Sequence, residues 1–105
     1  KTIVCQHTPE ETEAELNLLV DHGVTVQNVT VEHSVYGEIT ASIMVSNRME
    51  VKQFMQQIKE TGSSLLSELT NGIHLHTISA PSEEALEQAV RALKSAGFLV
   101  KEDQE

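Results

Sequence analysis

Three amphipathic segments, each opened by a capping signal and closed by a glycine, most limit what this chain can become. In "HTPEETEAEL", Thr8 is a good N-cap, Pro9 suits the first helical position, and Glu11 stands three residues after the cap. Leu16, Leu19 and Val20 follow at helical spacing, and Gly23 closes the segment. Asn47 and Glu50 repeat the pattern ahead of the stripe Val51, Phe54, Met55 and Ile58, which ends at Gly62. Met49 and Met55 read as core filler. Pro81, Glu83 and Glu84 open a third helix, whose Leu86, Ala89, Val90 and Leu93 share a face before Gly97.

The stretches between these helices are β-rich. Residues 2–7, "TIVCQH", read as a short strand. Residues 24–33 alternate, but Val24 and Val26 differ in parity from Val29, Val31 and His33, which predicts a bulge or kink at Gln27-Asn28. A turn in "SVYGE" leads to residues 38–46, with Ile39, Ala41, Ile43 and Val45 on one face, so the pair forms a hairpin. "SSLLSEL" fits either a short strand or a turn of helix. Asn71-Gly72 signals a tight turn into a strand over 73–79, "FLV" suits a short last strand, and residues 101–105 read as a frayed tail. The order β-α-β-β-α-(β)-β-α predicts an α+β fold. Three helices cover one face of an antiparallel sheet of four to five strands and leave the other open.

A length of 105 residues is one domain's worth, with no internal repeat or linker. Seven Lys and Arg against sixteen Asp and Glu give a net charge of −9. With no basic cluster, the chain is a poor nucleic-acid binder on its own, while an acidic surface attracts cations. No apolar run is long enough to span a membrane, and no secretory leader is visible. The first residue is Lys rather than Met, so a preceding segment of a longer protein is expected. Cys5 is the single cysteine, which rules out an internal disulfide and fits a reducing, cytoplasmic setting. Within "TIVCQH" it reads as a buried, inert thiol.

The chemistry concentrates in histidine. His74 and His76, two apart in the strand over 73–79, point to one face and can converge on one ion. Ile73 and Leu75 are expected to face the helices, which turns the histidines toward the open side. His7 ends the first strand, and Glu15 lies two helical turns on. His7, Glu15, His74 and His76 make a borderline ligand set for zinc, nickel, iron or cobalt. The bland alternatives are solvent-facing histidines and a solvated helix glutamate. His33 and Tyr36 flank the hairpin turn and offer hydrogen bonds to a small ligand. Arg48, in the first turn of the second helix, suits a carboxylate. Each is equally well an ordinary surface group. His22 reads as a structural partner of a helix C-terminus. Gly-rich phosphate loops, CxxC pairs and nucleophile elbows are absent.

"VEHSVYGEI" followed by "LTNGIHLHTISAP" resembles the 3H domain, the three-histidine sensing domain of nicotinate-responsive transcriptional repressors of NAD synthesis. The resemblance covers residues 1–100 as a ligand- and metal-binding regulatory domain. It implies an HPr-like open-faced sandwich, a transition-metal site (nickel or zinc) at His7, Glu15, His74 and His76, and nicotinate as effector. One departure is Ser34, where proline is expected after the turn histidine; no ligand is lost. The resemblance also implies a homodimer that reaches DNA through a helix-turn-helix domain not present in this chain. Two other classes remain at this point: a metal-dependent hydrolase on the His/Glu set, and a phosphocarrier using His7 ahead of a helix N-terminus.

Overall fold

The structure is a computed structural model, and residues 1–62 and 64–102 are described. Five strands form one antiparallel sheet: β1 (Thr2–Gln6), β2 (Thr25–His33), β3 (Gly37–Val45), β4 (Ile73–Ser79) and β5 (Leu99–Glu102), in the order β3-β2-β4-β1-β5. Helices α1 (Thr12–Asp21), α2 (Arg48–Thr61) and α3 (Glu83–Ala96) complete an α+β open sandwich. The core between helices and sheet is aliphatic: Leu16, Leu19 and Val20 of α1 and Ala89, Val90 and Leu93 of α3 meet Ile3, Val26 and Ile78. No helix among the described residues is long and apolar enough to cross a membrane.

The caps act much as their chemistry predicts. Asn47 Oδ1 accepts from the Glu50 amide at 2.9 Å, and Glu50 Oε1 accepts from the Ser46 amide at 2.8 Å. In the first helix the Glu11 carboxylate accepts from the Thr8 amide at 2.9 Å, and the chain makes a 3-10 turn over Pro9–Glu11 before α1 begins. The third helix is capped by Ser82, whose Oγ accepts from the Ala85 amide at 3.2 Å, so Pro81 stands just outside it. The ambiguous segment is a 3-10 turn over Leu66–Thr70, not a strand; Ser63 lies outside the described residues. Lys101 and Glu102 belong to β5, opposite Val4 and Ile3, rather than to a loose tail. Residues 103–105 lie outside the described part. Met49 is exposed, not core filler.

Two local features bear on the site. The parity slip in β2 is a bulge against β4: Val26 pairs with Ile78 and Thr30 with Leu75, so three β2 residues face His76 and Thr77. The second feature reverses an expectation. His74, His76 and Ile78 are the buried face of β4, while Ile73 is 43% exposed. Register explains why. His76 sits beside Ile3 and His74 beside Cys5, and both partners are fully buried under the helices. The paired histidines therefore face the helices, not the open side.

This orientation predicts unequal costs along β4. Ile78→Ala should lower stability by about 2–4 kcal/mol in urea melts. Ile73→Thr should stay within about 1 kcal/mol. The reverse ranking would restore the orientation expected from sequence.

Candidate metal centre

Helix α1 runs over the end of the sheet where β1 leaves His7 and β4 begins. Its Glu15, on the core-facing stripe beside Leu16 and Leu19, is 1% exposed. Three imidazoles converge on this carboxylate. His7 Nε2 lies 3.0 Å and His76 Nε2 3.0 Å from Oε1, and His74 Nε2 lies 2.9 Å from Oε2. All three rings are buried. Neighbouring rings meet edge-on, at centroid separations of 4.8 Å for His7–His74 and 4.7 Å for His74–His76.

The other nitrogen of each ring is also fixed. His7 Nδ1 donates to the Thr8 carbonyl at 2.7 Å, His74 Nδ1 to the Gly72 carbonyl at 2.8 Å, and His76 Nδ1 to the Asn28 carbonyl at 2.7 Å. A carbonyl only accepts, so each Nδ1 carries its proton and each Nε2 is turned toward Glu15. The sequence supplies each carbonyl by a separate device. Thr8 precedes the first helix. Asn28 lies in the β2 bulge, and its side chain also accepts from the Thr77 amide at 3.1 Å. Gly72 follows Asn71 in the tight turn, with φ of +88°, and a Cβ there would overlap the His7 carbonyl oxygen.

A neutral ring held this way points a lone pair at a carboxylate oxygen. Acceptor would face acceptor at about 3 Å, which a cation between them must resolve. A metal ion or a ring proton meets that need. Burial opposes charging His7 and His76, but the Glu15 carboxylate outweighs it and raises both above their ordinary 6.5. Burial likewise opposes ionising Glu15, yet the His76 charge and the three imidazole contacts hold it well below its ordinary 4.5. His7 Nε2, though within reach of Oε1, is not aligned with it and has no hydrogen-bond partner among the described residues.

Ligand atoms on one ion with bonds of about 2.0–2.1 Å stand roughly 3.0–3.4 Å apart, and each ring nitrogen lies 2.9–3.0 Å from a Glu15 oxygen. Nδ1–H groups tied to carbonyls are the usual outer support of metal-binding histidines. Cys5 is a neighbour whose position sequence reasoning did not anticipate: ligand atoms of Cys5, Glu15 and His74 all lie within 4.8 Å of one another, a cluster that could hold a metal ion. Its thiol is pushed up by burial and by the Glu15 carboxylate.

A cleft of about 180 Å³ opens beside the cluster between α1, α2, the outer hairpin strands and the 3-10 turn. Leu16, Val29, Ile43, Phe54 and Ile58 line it, together with Thr12, Ser67 and the four clustered residues. Neither Arg48 nor His33 nor Tyr36 does. Arg48 makes a two-pronged ion pair with Asp21 at 2.8 and 2.6 Å, tying the start of α2 to the end of α1. His33 Nδ1 accepts from the Val35 and Tyr36 amides within the hairpin turn, and Tyr36 is 78% exposed. The turn and Arg48 lie at opposite ends of the hairpin, roughly 25 Å apart by strand rise, so the three do not form one pocket. His22 donates from Nδ1 to the Leu18 carbonyl at 2.8 Å and is structural. His7 Nδ1 is committed to the Thr8 carbonyl and its side chain is 1% exposed, so neither ring nitrogen is open to the surface as a phosphocarrier needs.

The 3H domain family profile matches residues 1–102. The chain belongs to the 3H domain family. This 3H domain is 51% identical over 102 residues to the transcription repressor NadR of Bacillus subtilis, covering 97% of the chain and 57% of that protein. It is 42% identical over 102 residues to the probable transcription repressor NiaR of Thermotoga maritima, covering 97% of the chain and 58% of that protein. An uncharacterized protein of Methanothermus fervidus is 30% identical over 104 residues, 93% of the chain and 16% of that protein. The 3H domain therefore spans somewhat over half the length of the two repressors.

Two outcomes test this geometry. The stability that His7 and His76 contribute is complete below their ordinary 6.5 and is lost as pH rises through their raised values. That of Glu15 is complete above its ordinary 4.5 and is lost as pH falls through its lowered value. In chelator, the melting temperature should therefore fall from mildly acidic to mildly alkaline buffer; a rise would contradict the charged cluster. Gly72→Ala should shift His7 and weaken divalent-metal affinity about 10–100-fold by calorimetry, as loss of an outer support does. Unchanged affinity would show that the turn does not position the ring.

Proposed function

We propose that this 3H domain is the sensing module of a transcription repressor of NAD synthesis and niacin uptake. In this reading His7, Glu15, His74 and His76 hold one divalent transition ion, nickel or zinc, and nicotinate is the effector. The observation that carries the reading is the adjacency of the His/Glu cluster to a largely apolar cleft of about 180 Å³. A cavity of about 150 Å³ takes one benzene-sized ring, so the cleft is scaled to a single six-membered ring. Among the described residues lining it there is no Lys or Arg. A bound carboxylate therefore finds its countercharge at the His/Glu end of the cleft, where the proposed ion would sit.

The relatives' names support regulation rather than turnover: one is a transcription repressor and another a probable one. A hydrolase on the same residues would need a general base besides the ligands, and Glu15 is the one carboxylate among the described residues lining the cleft. With a net charge of −9, contact with DNA falls to the rest of the repressor. A homodimer matches the two half-sites that such repressors read. Ligand in the cleft would favour one of two arrangements of the dimer by its difference in affinity for them.

Calorimetric titration of nicotinate into metal-loaded and metal-stripped domain tests this reading. Heat of binding is expected only in the loaded form, and His76→Ala should abolish it. Absence of binding at millimolar nicotinate in both forms would overturn the assignment.

A further inference from the structure

The side of the sheet turned away from the helices carries its charges at two opposite edges. Cross-strand partners share a face, so the register shows which residues lie there. Ile3 and Cys5 belong to the core, and Val4 between them points the other way. One row on this open side crosses all the strands: Thr40, Thr30, Leu75, Val4 and Lys101. The Thr30 and Thr40 hydroxyls stand 2.8 Å apart within it. Two residues along their strands, Glu32, Glu38 and Ile73 share the same side.

Glu32 and Glu38 are direct cross-strand partners. Like charges placed so repel and cost stability. Both are exposed, as is Lys101. None of the three has an ion-pair partner among the described residues. Lys101 cannot reach the two acids within one chain, because β5 and β3 are opposite edges of the sheet, roughly 19 Å apart by strand spacing. Glu102 faces the other way, opposite Ile3, and its carboxylate pairs with Lys1 at 2.8 Å.

A chain of net charge −9 repels its own copy over most of its surface. The open side is closer to neutral, with half-buried Leu75 and exposed Ile73 near its middle. β4 is also the central strand of the order β3-β2-β4-β1-β5. A two-fold axis along β4 reverses that order in a facing copy. It sets Leu75 against Leu75 and β5 of one protomer over β3 of the other. Lys101 then lies over Thr40, beside the two acids, and the same contact recurs at the other end. Facing sheets stand about 10 Å apart, a gap that a lysine and a glutamate span together.

We propose that two copies of this domain pair through the open faces of their sheets, about a two-fold axis along β4, with Lys101 of each set against Glu32 and Glu38 of the other. The inference deepens the homodimer of the reading above and rests on that part of it; it needs neither the ion nor nicotinate. Complementary charge of this kind fixes the register of an interface.

Sedimentation equilibrium of the purified domain at low salt tests it. Wild type should be a dimer that added salt weakens. Lys101→Glu should weaken the dimer about tenfold or more, and so should Glu32→Lys with Glu38→Lys, because each change turns attraction into repulsion at two symmetric places. All three positions are exposed, so the variants should melt close to wild type. Combining the three changes restores opposite charges and should recover the dimer, which a misfolded variant could not do. Loss without recovery would overturn the proposal. Dimers indifferent to all the variants would also overturn it, by placing the interface elsewhere, while the homodimer would stand. A monomeric wild type would overturn both and leave this face to the rest of the repressor.

Discussion

One carboxylate organises this end of the molecule. Glu15 is buried where an aliphatic side chain would serve the core as well, and it persists there because three imidazoles surround it. Removing one partner from such a buried set leaves uncompensated charge and costs far more than the same change at the surface. The rest of the fold serves that arrangement. The turn before α1, the β2 bulge and the Asn71-Gly72 turn each deliver a backbone carbonyl to one ring, and those carbonyls leave every Nε2 facing inward.

The cleft joins this rigid cluster to less rigid parts. α2 fully buries one residue, Val51, against five on α1 and three on α3. It borders the cleft through Phe54 and Ile58 and is tied to α1 by the exposed Arg48–Asp21 pair. An element with few buried contacts is the one whose position a small ligand can bias. The sensing role proposed above calls for this combination: a fixed point that holds the charge, and a neighbour free to respond.

Much of the fold was legible in sequence because its signals are local. Asn47 and Glu50 cap a helix by their own side chains, and the parity slip at Gln27-Asn28 is a bulge whatever packs on it. The orientation of β4 was not legible. In "IHLHTIS" the parities offer Ile73 and Leu75 against His74, His76 and Ile78, and hydropathy favours the first set. What overrides it is the cross-strand pairing with Ile3 and Cys5, and a carboxylate from α1 that makes buried imidazoles tolerable. The quartet itself was legible only through the family resemblance, because nothing local brings His7 near His76. Arg48, His33 and Tyr36 suited a ligand by chemistry alone, and topology separates them.

The central claim is that three imidazoles and one carboxylate are preset to hold a single ion. X-ray absorption spectroscopy of the purified domain loaded with one equivalent of nickel or zinc measures this most directly. The account predicts the multiple-scattering pattern of three imidazole ligands together with oxygen. One imidazole or none, with a shell of water oxygens, would contradict it and leave the cluster as a proton-held feature of the core.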